Sequence, residues 1–281
     1  MRRPVIAVFI LIAAVFTGPI IVVAQSAPAG RVEIRDTERR FLASKHVDQT
    51  YEIDVWFPPD YQKESARYPV IYVLDAECNF GCASYIVKRL IKNGDIPKVL
   101  VVGIAYNTEE NDYYTKRDRD STPTTKLYRH GGGVEPFIQF FETELIPFIN
   151  RNYRTQPEDR TIVGHSITGF FCAYALFKHP LLFSRYLIVS PSLWYANDLI
   201  FDYEKEFAET NASLNAAVFL STGRDESEQM VRTTERMIRT LTGRKYAGFR
   251  FTSEIPEGEH HRSIFPSAFT RGMRWLFGTP R

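Results

Sequence analysis

Residues 160–171 of this chain, Arg160-Thr-Ile-Val-Gly-His-Ser-Ile-Thr-Gly-Phe-Phe171, decide how the rest of the sequence is interpreted. The β-branched run 161–163 is typical of the end of a buried parallel strand, and the apolar run 170–177 is typical of a buried helix. Between them the chain must turn sharply, which leaves the hydroxyl of Ser166 above the carboxyl edge of a sheet. A strand, a Gly-x-Ser turn and a helix in this order form the nucleophile elbow of serine hydrolases.

Two features of the turn suit acyl chemistry. The amide of Ile167 opens the helix and can donate to an oxyanion, and Gly164 avoids a side-chain clash in a strained turn. The usual second glycine, two residues after the serine, is Thr168 here, and glycine follows only at Gly169. Because a three-residue match is common by chance, a serine that merely caps a helix is the alternative interpretation.

Short apolar runs surround the elbow on both sides. The continuous runs 68–75 and 99–105 predict central strands, whereas the N-terminal segments 31–35 and 51–57 predict strands, the second with the alternation of an antiparallel strand. Together they predict an α/β fold, with a mostly parallel central sheet, antiparallel N-terminal strands and helices on both faces. Further strands are predicted at 186–190, 216–222 and 249–255, and helices at 83–92, 134–150, 228–241 and 265–277.

Two residue pairs downstream supply partners for the serine. A serine nucleophile needs a base, and the base needs a carboxylate that fixes its tautomer. Asp225-Glu226 follows one predicted strand and His260-His261 follows a later one, which is the order serine, acid, histidine of α/β-hydrolases. All three segments fall at the carboxyl edge of the sheet, where open α/β sheets bind ligands. The residues alone leave the choice within each pair open.

The segment after the strand at 68–75 is expected to complete the site. A second oxyanion donor should come from the amide of Ala76 or of Glu77, while Asp75 is expected to be structural. Residues 107–133 predict a long polar loop, and loops of this length in compact domains are usually functional or disordered.

This loop carries cationic and aromatic side chains, and Trp194 is expected to face it across the elbow. Guanidinium groups bind planar anions and stack on aromatic rings, so the set suits an aromatic or anionic ester. The alternative is a solvated loop, because aspartates are interleaved with the basic residues. The side chains concerned are Tyr113, Tyr114, Lys116, Arg117, Arg119 and Arg129, and the interleaved aspartates are Asp112, Asp118 and Asp120.

The N-terminus predicts export. Met1-Arg-Arg3 and the apolar stretch 4–23 read as a signal peptide that is cleaved after Ala24, leaving a single domain at 25–281 in the periplasm or outside the cell. A retained membrane anchor is the alternative, because the stretch approaches spanning length. Gly18-Pro19 interrupt it, however, and no second apolar block follows, so no stable anchor is expected.

Charge and cysteine content exclude several classes of function. Without Arg2 and Arg3, the 35 basic residues of the chain fall to the number of its acidic ones, 33. A balanced domain has no electrostatic reason to bind nucleic acid or an anionic membrane. The three cysteines form no disulfide framework; Cys78 and Cys82 either pair in an oxidising compartment or remain buried thiols. No spacing predicts a metal site, and no cofactor is expected.

These segments resemble the esterase D-like "putative esterase" family of α/β-hydrolases, especially its siderophore (enterobactin-type) esterase branch. The run 68–75 is similar to that family's third strand and oxyanion loop, 119–123 to its substrate-side loop, and 164–166 to its elbow. Residues 190–194 are similar to its pocket wall. The segments 223–226 and 261–263 are similar to its acid and base segments, so the resemblance implies Glu226 as the acid and His261 as the base. It further implies a serine esterase without a separate lid domain.

The sequence therefore predicts an exported serine ester hydrolase that acts through an acyl-enzyme on a small-molecule ester. Ser166, His261 and Glu226 are the candidate triad, Ile167 and Ala76 the candidate oxyanion donors, and Trp194, Arg117 and Arg119 the candidate substrate contacts. The alternatives are a non-catalytic ligand-binding protein on a hydrolase fold, an acyltransferase, a peptidase or a polysaccharide deacylase. The complete serine–acid–histidine set favours the hydrolase, because a binding protein has no need to keep it.

Overall fold

A mostly parallel sheet of eight strands crosses the protein. The computed structural model describes residues 33–108, 110–124 and 131–278. Its strands are β1 (Thr37–Ser44), β2 (Gln49–Trp56), β3 (Tyr68–Val73), β4 (Leu100–Ala105), β5 (Thr155–His165), β6 (Arg185–Val189), β7 (Ala217–Ser221) and β8 (Arg250–Glu254). The spatial order is β1-β2-β4-β3-β5-β6-β7-β8. The β1–β2 and β2–β4 pairings are antiparallel and the other pairings of these strands are parallel, as the predicted fold class requires.

Helices cover both faces of this sheet, which confirms the predicted fold class. The described helices are α1 (Ala76–Lys92), α2 (Glu110–Ser121), α3 (Val134–Gln139), α4 (Ile146–Asn152), α5 (Ile167–Lys178), α6 (Tyr195–Asp198), α7 (Ile200–Thr210), α8 (Glu228–Gly243) and α9 (Ile264–Phe277). A π-helical segment, Phe140–Leu145, joins α3 to α4. All of these elements fall within one compact unit that begins at Ile34.

The pleat of β3 shows how the two cores form. Every residue of β3 is buried; Val70 and Tyr72 contribute to one core, and Ile71 and Val73 contribute to the other. The first core holds the phenylalanines of the helical segment 134–152 and of α5, and the second holds residues of α1 and α9. Because both faces of a central parallel strand are covered, its sequence is apolar at every position.

The predicted first strand, 31–35, is wrong. Residues 33–36 are not strand, residues 31 and 32 lie outside the described residues, and β1 begins at Thr37. Asp36 has a positive φ of 63°, which interrupts an extended chain just before β1. The edge strand is placed by its antiparallel pairing with β2, in which Thr37 lies opposite Trp56, and not by its own alternation.

The predicted loop at 107–133 is also wrong over much of its length. Residues 110–121 form α2, although charged side chains dominate that segment. Contacts with the rest of the protein explain the helix: Arg117 pairs with Asp75, and the Tyr51 hydroxyl donates to the buried Asp120. Arg129 lies outside the described residues.

The predicted signal peptide, residues 1–24, likewise lies outside the described residues. Among residues 33–108, 110–124 and 131–278, no helix has the length and apolar character needed to cross a membrane.

Candidate active site

Ser166 stands in a strained turn between β5 and α5. Its backbone has φ 64° and ψ −121°, a conformation that residues other than glycine rarely adopt. Gly164 permits this turn, because a Cβ there would lie 2.2 Å from the carbonyl oxygen of Thr168. The amides of Phe170 and Ser192 both donate to the Ser166 carbonyl, at 3.1 and 3.0 Å. The local geometry is therefore that of a nucleophile elbow, with Thr168 accommodated in place of the usual glycine.

The structure brings His261 and Glu226 into contact. Nδ1 of His261 lies 2.8 Å from Oε2 of Glu226, whose side chain is 1% exposed. The neighbouring candidates lie apart from this pair. Asp225 is exposed and His260 is exposed, with its Nδ1 accepting from the amide of Arg262 at 3.2 Å. The geometry thus favours the same member of each pair as the family resemblance.

Three donors hold the Glu226 carboxylate. Oε1 accepts from the Ser190 hydroxyl and, at 2.9 Å, from the Gly223 amide, while Oε2 faces His261. Burial alone would raise the pKa of Glu226, but the hydrogen bonds from His261, Ser190 and Gly223 outweigh it and leave the pKa below its ordinary value. An ionised Glu226 requires the Nδ1 of His261 to carry a proton, which leaves Nε2 as the nitrogen that can accept one.

The two candidate oxyanion donors open neighbouring helices. Ile167 is the first residue of α5 and Ala76 is the first residue of α1. These helices follow β5 and β3, which are adjacent parallel strands with Val163 opposite Val73. Amides in the first turn of a helix have no acceptor within that helix, and the helix dipole favours negative charge there. Two such amides at one sheet edge can stabilise an oxyanion. The positions of Ile167 and Ala76 suit this role, and the role itself stays a prediction.

His165 connects the elbow to the histidine loop. Its Nε2 lies 2.9 Å from the backbone carbonyl of His261, and the centroids of the two imidazole rings are 4.5 Å apart. Burial, followed by the proximity of His261, lowers the pKa of His165 to about 4. A neutral His165 with its proton on Nε2 therefore donates to the His261 carbonyl.

The three predicted substrate contacts are placed differently. Trp194 is partly exposed and its Nε1 donates to the sulfur of Met230 at 3.0 Å. The side chain of Arg119 is 33% exposed and pairs with Asp120 at 2.6 Å. Arg117, by contrast, is 11% exposed and its guanidinium is held by Asp75 and by the backbone carbonyl of His165. Its partners are within the protein, which weakens the interpretation of Arg117 as a substrate contact.

Sequence reasoning missed several polar side chains around the elbow. In the sequence, Ser190 is marked only by its resemblance to a pocket wall, and Thr168 only by its departure from a glycine pattern. Asp75, expected to be structural, is indeed buried, with a fully hydrogen-bonded carboxylate. The sequence feature that could have indicated these polar contacts is Thr168. A hydroxyl that replaces glycine beside a nucleophile needs a hydrogen-bonding partner.

Two further groups of side chains concern metal binding and disulfides among the residues that the structure describes. The described residues contain no group of three or more histidine, cysteine or acidic side chains arranged to hold a metal ion. Cys78, Cys82 and Cys172 are free thiols in the structure.

Comparisons with known proteins identify a matching family model and similar proteins. A family model described as "Putative esterase" matches residues 44–276. The chain is 30% identical over 262 residues to the ferri-bacillibactin esterase BesA of Bacillus subtilis, covering 86% of this chain and 90% of that protein. It is 27% identical over 186 residues to the siderophore triacetylfusarinine C esterase of Aspergillus fumigatus, covering 64% and 63%.

Two solved structures are similar to this chain in fold. The BES protein from Bacillus cereus superposes with a TM-score of 0.81 at 28% identity, covering 90% of this chain and 99% of that one. An IroE-like serine hydrolase from Shewanella oneidensis superposes with a TM-score of 0.77 at 27% identity, covering 86% and 80%.

Proposed function

Since the chain belongs to the "Putative esterase" family and is a carboxylic ester hydrolase, we propose that it acts as a serine esterase with Ser166, His261 and Glu226 as its triad. The observation that carries this proposal is the 2.8 Å contact between His261 and the buried Glu226, at the sheet edge where Ser166 stands in a strained turn.

The reaction follows from the roles that these groups can take. His261 Nε2 accepts the proton of the Ser166 hydroxyl as its oxygen attacks the ester carbonyl, and Glu226 stabilises the imidazolium. The amides of Ile167 and Ala76 donate to the oxygen of the tetrahedral intermediate. His261 then protonates the departing alcohol, leaving an acyl-enzyme, and water is activated by the same histidine to release the acid.

Substitution of the serine tests this mechanism. Ser166→Ala should lower kcat by roughly three to six orders of magnitude while substrate binding persists. A fluorophosphonate should add one covalent mass to the wild type and none to Ser166→Ala. Ser227→Ala, which removes an exposed helix-capping hydroxyl, is the matched control and should still be labelled. Labelling of Ser166→Ala, or no labelling of the wild type, would contradict the proposal.

We further propose a siderophore-type or other aromatic ester as substrate. The support comes from the names of the relatives and from Trp194, a partly exposed indole in the segment that donates to the elbow through the Ser192 amide. Arg119 offers a partly exposed cation at the end of α2. Such an ester combines aromatic faces with negative charge, which an indole and a guanidinium can both contact.

A kinetic comparison tests the substrate class. Arg119→Ala should raise KM for an anionic aryl ester severalfold, leave a small neutral ester unchanged, and have a smaller effect at high salt. Equal effects on both esters would mean that Arg119 supports the fold of α2 through Asp120 instead.

We also propose that the protein is exported. The support is the charged, apolar and small-residue pattern of residues 1–24. Cell fractionation and N-terminal sequencing of the recovered protein should show a chain that starts near Gln25. Recovery of the uncleaved chain in the membrane fraction would favour an anchor.

A further inference from the structure

One buried carboxylate lies between the two helices that supply the candidate oxyanion donors. Asp75 is 3% exposed, and each of its oxygens accepts two hydrogen bonds. Oδ1 accepts from the Tyr113 hydroxyl at 2.9 Å and from Nε of Arg117 at 2.7 Å. Oδ2 accepts from Nη2 of Arg117 at 2.7 Å and lies 2.9 Å from the Thr168 hydroxyl, whose single proton is shared between Oδ2 and the His165 carbonyl, 2.8 Å away. The carboxylate is saturated within the protein and has no capacity left for a substrate.

Two of these residues are adjacent in sequence to the candidate oxyanion amides. Asp75 immediately precedes Ala76, and Thr168 immediately follows Ile167. The hydrogen bond between Asp75 and Thr168 therefore joins the residues next to the two candidate oxyanion amides. We therefore expect a change in this contact to shift one amide relative to the other.

Arg117 extends the same connection to the nucleophile. Besides its two bonds to Asp75, its Nη2 donates at 2.9 Å to the carbonyl of His165, the residue before Ser166. Thr168 also accepts from the His165 amide at 2.9 Å. The backbone on both sides of the nucleophile is thus fixed to the carboxylate that precedes α1.

The energetics favour a role in geometry over a role in stability. Removing two charges from water costs several kcal/mol, so a buried ion pair is weak evidence for stabilisation of a fold. Burial alone would raise the pKa of Asp75, but Arg117, followed by the hydrogen bonds from Thr168 and Tyr113, holds it below its ordinary value. Asp75 is therefore ionised at neutral pH, the form that accepts these hydrogen bonds.

We propose that Asp75, Arg117 and Thr168 are positioning residues that set the separation of the Ile167 and Ala76 amides, and so the shape of the oxyanion hole. This inference rests on the proposed serine mechanism. It assigns to Thr168, which replaces the usual glycine, the bond that connects the two halves of the hole.

The protein contains a second cluster of the same chemistry, which serves as a control. Glu204 on α7 is 2% exposed; its two oxygens each lie 2.7 Å from Arg244, and the Tyr246 hydroxyl donates to it at 3.2 Å. Within the described residues, none of these bonds reaches the elbow. Arg244→Met therefore removes a bidentate ion pair to a buried carboxylate, from an arginine that is more exposed than Arg117, without touching the oxyanion amides.

The experiment compares Thr168→Val, Thr168→Ser, Arg117→Met and Arg244→Met in the full chain. Readouts are kcat and KM for a neutral and an anionic aryl ester, Ki for an aryl trifluoromethyl ketone, and Tm. The ketone forms a tetrahedral adduct with the serine whose oxyanion occupies the hole. Thr168→Val should lower kcat roughly 10- to 100-fold, since small misplacements near the chemistry have effects of this size, and should raise Ki by a similar factor with KM nearly unchanged.

The remaining variants separate positioning from other roles. Thr168→Ser should restore most of the activity, because it retains the hydroxyl. Arg117→Met should reduce kcat equally for both esters, and Arg244→Met should lower Tm while leaving kcat and Ki near the wild-type values. If Arg117→Met does not fold, the pair of Thr168 variants still decides the question.

Three results would overturn the inference. Thr168→Val with unchanged kcat and Ki would make the cluster merely structural. A rise in KM confined to the anionic ester in Arg117→Met would make that arginine a substrate contact. Equal losses of kcat in Arg117→Met and Arg244→Met would mean that both variants lose activity because the fold is less stable. Failure of the serine mechanism itself is recognised separately, because the wild type would then not be labelled by a fluorophosphonate.

Discussion

The contacts of individual side chains near Ser166 distinguish between adjacent residues that are equally plausible candidates in the sequence. His261 and His260 are adjacent in sequence, yet only the ring of His261 contacts a buried carboxylate. Glu226 and Asp225 differ in the same way, since Asp225 is exposed. The sequence supplied the pairs and their order, but not the choice, which depends on how the loops after β7 and β8 meet. The family resemblance implies the same two residues, Glu226 and His261.

The histidine pair makes a direct prediction. His261→Ala should lower kcat to within about tenfold of Ser166→Ala, because base and nucleophile act as a unit, whereas His260→Ala should stay within about threefold of the wild type. Steady-state kinetics on one aryl ester measures both. The reverse ranking would transfer the role of base to His260.

His165 predicts a pH dependence of stability. Its pKa is lowered from 6.5 to about 4 in the folded protein, mainly by burial and then by the proximity of His261 and Arg117, against the opposing effect of Asp75. Between these values the unfolded chain binds a proton that the folded protein does not, so the free energy of unfolding should fall as the pH drops from 6.5 to about 4. At neutral pH this contribution is fully present.

Chemical denaturation at about pH 7, 5.5 and 4.5 checks this, because His165→Gln lacks the titration. The stability advantage of the wild type over the variant should shrink toward acid. An advantage that is constant over this range would mean that His165 titrates normally in the folded state.

Among the elements, α2 shows where sequence periodicity stops being informative. Its residues are mostly charged, and their pattern predicts a loop. The segment is helical instead because a few of its polar side chains contact distant residues. Arg117 reaches Asp75, Asp120 accepts from Tyr51, and the rings of Tyr113 and Tyr106 meet edge to face at 5.7 Å. None of these contacts has a local sequence signal. By contrast β3, β4 and α5 were predictable, since each is buried and apolar along its length.

Hydrogen exchange can test this account of α2. Arg117→Met should increase exchange of the amides of α2 and of the elbow while leaving α7 protected, because local stability follows local contacts. Arg244→Met should do the opposite, loosening α7 and leaving α2 unchanged. Loss of protection in α2 with either variant would mean that the helix depends on global stability and not on its bond to Asp75.

At the scale of the whole molecule, alternation of apolar strands and helices was enough to predict the class of fold. The two cores on either side of the sheet follow from the pleat of the central strands, as Ile71 and Tyr72 illustrate by facing opposite sides. Besides α2, the pattern did not predict β1 or α7. β1 is fixed by pairing with β2, and α7 follows three residues with positive φ, Ala196 to Asp198, whose conformation has no clear signal in the sequence.

The four hydrogen bonds on Asp75 also constrain how this protein can change over generations. Thr168→Gly would restore the usual glycine of the elbow, but it would deprive a buried carboxylate oxygen of one donor. We therefore expect the step toward the commoner pattern to be destabilising when it is made alone. Because the side chains at positions 75, 117 and 168 share hydrogen bonds, we expect substitutions at these three positions to have non-additive effects.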